Sequence, residues 1–174
     1  MLNIKIICIG KLKERFYTDA ANEYIKRLSG YCKLEILEIP EQRLPVGSAF
    51  VTPELIDNGI SDQNSLVTQA LEKEGISIIS KIPSGAAVVV LCIEGRAMDS
   101  YGLSEFISDC ALRGASKLCF VIGGSFGLHE DIKNKADFRL SMSKMTFPHN
   151  LARVMLLEQL YRSFKIAEGG KYHK

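Results

Sequence analysis

The spacing of apolar positions changes repeatedly along the chain. Ile4 to Gly10 (IKIICIG) is β-branched and nearly all apolar, as a strand covered on both faces would be. Glu14 to Leu28 follows with Phe16, Ala20, Tyr24 and Leu28 at i, i+4 spacing and Ile25 beside them, one apolar stripe of a helix. Lys33 to Ile39 alternates polar and apolar, a strand with one wet face, and Pro40 ends it. Residues 41–62 hold Pro45, Gly47, Pro53 and Gly59 with little periodicity and read as a long loop. Ser61 or Asp62 then caps a helix running to about Lys81, with Leu66, Ala70 and Leu71 on one side. Ala86 to Ile93 (AAVVVLCI) is the clearest core strand.

The second half continues the alternation. Gly102 to Gly114 has helical spacing and a glycine stop, and Lys117 to Ile122 is another buried strand. Gly123-Gly-Ser-Phe-Gly127 leads into a short polar helix. Phe138 to Met142 is a short strand, Ser143 to Pro148 a loop, and Asn150 to Ala167 a long apolar helix ended by Gly169-Gly170. Strands alternating with helices predict one α/β domain over residues 1–174, its mostly parallel sheet of about five strands flanked by helices.

Composition narrows the class. Hydrophobic residues make up 47% and charged residues 24% of the 174, which is globular and not disordered. The apolar runs are far short of the ~20 residues of a membrane span, and the first residues carry Lys5 and no cleavage site. Cys8, Cys32, Cys92, Cys110 and Cys119 form no C-x-x-C pair and read as reduced core thiols, which with the missing signal points to the cytoplasm. The net charge of +2 hides an asymmetry: residues 133–174 carry nine Lys or Arg against three Asp or Glu. A basic quarter on an acidic body fits either a face for an anion such as nucleic acid or a solvated helix face.

Ligands of open parallel sheets bind beyond the carboxyl ends of the strands, and three loops qualify. They are Glu94-Gly-Arg96, the glycine segment after Ile122, and Ser141 to Pro148 (SMSKMTFP). The spacing of GGSFG fits neither a dinucleotide fingerprint nor a Walker A loop, which disfavours a nucleotide-phosphate site and a dinucleotide-dependent oxidoreductase. The glycines let a ligand approach the backbone, so Gly123→Val is expected to block binding and spare the fold. The main chain of the third loop can pair with a purine edge between walls of Met142, Met145 and Phe147, or the loop is a plain connection filled with core side chains. His129, His149 and His173 have no metal-ligand spacing, so no metal is expected. His129 and His149 sit near helix starts, where local hydrogen bonds account for them.

Five segments together resemble the RlmH family of SPOUT methyltransferases: Met1 to Arg15, Val89 to Arg96, Phe120 to Glu130, Ser141 to Arg153 and Glu158 to Lys174. The stretch SKMTFPH followed by a YHK end is the most specific part. The resemblance implies an α/β knot, an exception to unknotted connections, and an obligate homodimer. It implies S-adenosylmethionine as cofactor, lined by Leu91, Gly123 and the loop Met142, Ser143, Lys144, Met145, Thr146 and Phe147. The implied activity is methylation of N3 of a pseudouridine in bacterial 23S rRNA, with the ribosome as partner. Arg153, Tyr172, His173 and Lys174 would face the RNA, His173 as the candidate base and Arg153 as an electrostatic helper. The competing class is a non-enzymatic ribosome-binding factor on the same fold. The dimer is expected to bury Leu151, Val154, Met155, Leu156, Leu157, Leu160, Tyr161 and Phe164 of the last helix, which outnumber the positions of one helix face.

Overall fold

The computed structural model describes residues 1–44 and 61–170, without the side chains of 61–64. Most of the loop expected at 41–62, and the tail residues Tyr172, His173 and Lys174, lie outside the described residues. The elements are β1 (Leu2–Ile9), α1 (Arg15–Leu28), β2 (Cys32–Ile39), α2 (Ser61–Ile79), β3 (Ala87–Ala97), α3 (Ser100–Leu112), β4 (Lys117–Ile122), α4 (Glu130–Lys135), β5 (Phe138–Ser141) and α5 (His149–Ala167). The sheet order is β2-β1-β4-β3-β5, and every neighbouring pair is parallel.

The two-residue period of each strand divides the core into two layers. Ile4, Ile6, Cys8, Val89, Phe120, Ile122 and Leu140 face α1, α3 and α5. Ile7, Ile9, Val88, Val90, Cys119 and Val121 face α2 and α4 through Ile78 and Ile132. Both faces are covered, which is why β1, β3 and β4 read as continuous apolar runs. The core thiols Cys8, Cys32 and Cys119 are buried. Burial pushes Cys8 up to about 12 and Cys32 and Cys119 to about 11.

Local signals set the helix ends. Asp99 caps α3, its carboxylate accepting the Gly102 N–H at 2.7 Å. Gly114, at φ +85°, closes the same helix and lets the Ala115 N–H reach the Cys110 carbonyl at 2.9 Å. His129 accepts the Asp131 N–H at the start of α4, as its position before a helix suggests.

Two expectations are corrected. Phe16 is not on the buried stripe of α1: the helix packs through Ala21, Tyr24, Ile25 and Leu28, and Phe16 is 63% exposed. The strand at 86–93 does not end at Ile93. β3 continues to Ala97 after an excursion, with both Leu91 and Arg96 opposite Leu140 of β5.

Candidate active site

Register brings the three loops to one edge. Leu91 stands opposite Ile122 on β4 and Leu140 on β5, so the segments that follow those residues leave the sheet side by side. The first is the β3 excursion. Gly95 lies so close to β5 that a Cβ would stand 2.7 Å from the Arg139 carbonyl oxygen. Glu94 is anchored outside by Lys133 at 2.5 Å, and Ile93 is left 50% exposed.

The second loop corrects the reason for its glycines. A Cβ on Gly123 would collide with the carbonyl oxygen of Gly127, and one on Gly124 would stand 2.8 Å from Ile9 and 2.9 Å from a carboxylate oxygen of Glu41. The space beside both glycines is filled by the protein itself, so Gly123→Val would strike backbone before it met a ligand. Gly123 serves the bend that returns the chain onto Gly127.

The third loop is open. The Ser141 hydroxyl donates to the Ser143 carbonyl at 3.0 Å, and the Ser143 hydroxyl accepts the Met145 N–H at 2.9 Å, which folds the loop on itself. Lys144, Met145 and Thr146 are exposed, and Met142, Ser143 and Phe147 half-buried. Among the described residues the main-chain N–H groups of Lys144, Thr146 and Phe147 have no acceptor. Met145 is 68% exposed, and Leu91 is half-buried although it belongs to an inner strand. Apolar walls and free main-chain donors suit the flat heteroaromatic ring of a ligand.

Arg153 departs most from expectation. It does not face outward: the side chain is 2% exposed, among the most buried large side chains of the fold. Its guanidinium pairs with Glu38 at 2.5 Å and donates to the Gly10 carbonyl at 2.8 Å. Glu38 also accepts the Leu12 N–H at 3.3 Å. One arginine on α5 thus ties together the carboxyl ends of β1 and β2. Placed one turn into an apolar helix packed on the sheet, its only route to satisfaction is inward, onto strand ends.

Three residues to which the sequence reading gave no part in the site gather next to this clamp. A Cβ on Gly10 would stand 3.2 Å from the His149 imidazole, so the first residue of α5 packs on the turn after β1. Glu41 accepts the Ser125 N–H at 2.9 Å. Desolvation disfavours its charge, but the Ser125 N–H and hydroxyl together with His149 and Lys13 outweigh that and hold the carboxyl below its ordinary value. Glu74 is buried and accepts the Gln42 N–H at 2.8 Å, and burial raises its carboxyl. The sequence signal was faint: a carboxylate inside an apolar strand (Glu38) and carboxylates beside a proline turn and in a helix.

The last helix is less free than expected. Leu156, Leu157 and Leu160 are buried in this protomer against the sheet, with Val154, Tyr161 and Phe164 packed around them. Among the described residues, no three His, Cys, Asp or Glu side chains group as metal ligands, and no helix is long and apolar enough to cross a membrane.

Comparisons with known proteins settle the family of the chain. The family model described as "Predicted SPOUT methyltransferase" matches residues 2–173. A protein of Clostridium botulinum Eklund 17B named "Ribosomal RNA large subunit methyltransferase H" is 47% identical over 99% of this chain and 100% of its own length. One of the same name from Clostridioides difficile 630 is 42% identical over the same shares. Among solved structures, a probable methylase family protein from Haemophilus influenzae superposes with a TM-score of 0.53 at 15% identity, over 99% of this chain and 71% of that one. A probable methyltransferase from Bordetella pertussis gives 0.51 at 12% identity, over 93% and 96%. These two speak to the fold alone. With a family model spanning all but its terminal residues, this chain belongs to the SPOUT methyltransferases.

Proposed function

We propose that the protein transfers a methyl group from S-adenosylmethionine to N3 of a pseudouridine in bacterial large-subunit (23S) rRNA, acting as a homodimer on the assembled ribosome. One observation carries this reading: the half-exposed apolar segments after Leu91 of β3 and after β5 leave the sheet at one edge, in a chain alike over 99% of its length to relatives named for large-subunit rRNA methylation. S-adenosylmethionine, the cofactor of this family, supplies a methyl group already activated on a sulfonium. The residues present fit it. Leu91, Met142, Met145 and Phe147 offer apolar walls, and the N–H groups of Lys144, Thr146 and Phe147 are free for a purine edge. Ser143 shapes the loop, and Gly123 supports the floor through its bend onto Gly127.

The chain's own task is positioning and proton removal. Attack by N3 requires loss of its proton, and His173, carried beside Tyr172 on the tail, is the group we assign to take it. Arg153 has a different part from the one expected. Buried against Glu38 and Gly10, it holds the start of α5, and so the end of the Met142–Phe147 loop, against the sheet. The homodimer would use what α5 leaves half-buried, namely Leu151, Val154, Met155 and Tyr161, and would let the tail of one protomer reach the other's cofactor. The return of α5 from the sheet edge across α1 and α3 supports the knot in the same reading.

The test is methyl transfer from labelled S-adenosylmethionine to ribosomes from a strain lacking the gene, with mass mapping of the product. Transfer to a pseudouridine N3 is expected, and deletion of residues 172–174 is expected to abolish transfer while leaving cofactor binding intact. Ribosome binding with no calorimetric signal for S-adenosylmethionine would replace the enzyme by a binding factor.

A further inference from the structure

The basic quarter of the sequence is largely spent inside the protein. Lys133 is held by Glu94 and Glu130, Arg139 by the Lys133 carbonyl and Asn134, Arg153 by Glu38, Arg162 by Glu158 and Lys165 by Glu168. A cation bound to a carboxylate offers little to a phosphate. Along the described C-terminal quarter, only Lys135 and Lys144 make none of these contacts.

Free positive charge is concentrated elsewhere, at the turn from β1 into α1. Lys11 and Lys13 are exposed and form no ion pair among the described residues. Arg15 is 94% exposed and among the described residues pairs only with Asp19, at 3.6 Å and itself 66% exposed, a pair that solvent screens almost completely. The first turn of α1 contains no acidic residue, so its dipole adds to the same field, which the Glu14 carboxylate at the N-cap offsets in part. Beside these cations stands Phe16, 63% exposed, with its ring 4.2 Å from that of Tyr17. An exposed phenylalanine among cations is poor packing and good nucleic-acid chemistry, because a ring face receives an unpaired base while the cations meet its phosphates.

The turn is also fixed in place. The Gly10 carbonyl accepts from Arg153 at 2.8 Å, the Leu12 N–H donates to Glu38 at 3.3 Å, and the Glu14 carboxylate accepts from Asn150 at 3.4 Å. Two of those partners lie in the first two turns of α5, directly after the Met142–Phe147 loop. The basic turn is therefore tied beside the cofactor loop and not merely somewhere on the surface. Glu41 offsets part of the field at Lys13 but forms no ion pair with it among the described residues, its carboxylate accepting the Ser125 N–H instead.

We infer that Lys11, Lys13, Arg15 and Phe16 form the surface that docks the RNA next to the reacting base, the three cations on phosphates and the Phe16 ring on an unpaired base. This rests on the proposed RNA-methyltransferase reading.

The experiment uses the full chain, ribosomes from a strain lacking the gene, and labelled S-adenosylmethionine, across a series of salt concentrations. For K11Q/K13Q/R15Q we expect KM for ribosomes to rise about tenfold at physiological salt, and the slope of log KM against log salt to fall by about 2. For F16A we expect a rise of about tenfold with an unchanged slope, because stacking releases no counterions. Cofactor binding by calorimetry and mass by sedimentation should match wild type in both. A triple variant with wild-type KM and slope overturns the inference. So does a change in sedimentation in either variant, which would mean that a second copy of the chain covers this face. Wild-type enzyme that moves no methyl group to ribosomes would instead reject the functional reading itself, so the two failures are distinguishable.

Discussion

The carboxyl edge of the sheet has two unlike halves. Over β1 and β2 it is sealed: Arg153, Glu38 and the Gly10 carbonyl form a buried charged knot of contacts, with His149 packed on the same turn. Over β3, β4 and β5 it is open, with Met145 68% and Ile93 50% exposed and loop N–H groups left without acceptors. Buried charge held by an opposite charge and a carbonyl tolerates little movement, whereas half-exposed apolar groups gain from any partner that covers them. The sealed half is suited to hold the start of α5 still, and the open half to receive a ligand.

The largest effect should come from breaking the sealed half. Arg153→Ala leaves Glu38 without its cation and the core with a cavity, and should cost about 3–5 kcal/mol in urea denaturation. Replacing both partners, as in E38L/R153M, should recover most of that loss, because a matched apolar pair removes the stranded charge. A double variant as unstable as the single one would show that packing and not charge holds this half.

Next is Gly123, which lies on the boundary. Gly123→Ala places a Cβ against the Gly127 carbonyl and should destabilise by about 1–3 kcal/mol in thermal melts. An unchanged melting temperature would return Gly123 to the role first expected of it, as space kept free for a ligand. Met145→Ala probes the open half alone. Its stability should stay within about 0.5 kcal/mol of wild type, while affinity for S-adenosylmethionine by calorimetry falls by about fivefold. A stability loss larger than the affinity loss would erase the contrast between the halves.

The smallest effect concerns Glu41. Its folded-state pKa is held below that of the unfolded chain, so its contribution is complete above the unfolded value of about 4.3 and fades as pH falls through the folded value. E41Q should therefore flatten the acid limb of the stability profile, by under about 1 kcal/mol because the group is partly solvated. An acid limb identical to that of wild type would mean that the bond from Ser125 adds nothing.

The element order was readable because both sheet faces are covered, which makes buried strands continuous apolar runs and sets them apart from helices of period 3.6. That three loops meet at one edge was readable for a related reason: parallel strands put all their carboxyl ends on one side. Arg153 was misread because a cation in an apolar helix looks the same in sequence whether it points out to a phosphate or in to Glu38, which lies 115 positions earlier. Phe16 was misread because its i, i+4 spacing continues a stripe that the packing of α1 leaves before its first turn.

What the sequence determined by itself is therefore local and periodic: which segments are strands or helices, their order, and the type of loop that follows each strand. Only the tertiary structure decided which charges are free. The nine cations of the C-terminal quarter suggested a basic face, yet five of them close on acceptors inside the protein, while the exposed Lys11, Lys13 and Arg15 belong to an acidic body. Net charge sums along the chain, but the field a partner meets depends on which opposite charges and carbonyls the fold brings within hydrogen-bond reach, and for Arg153 those come from strands more than a hundred residues away.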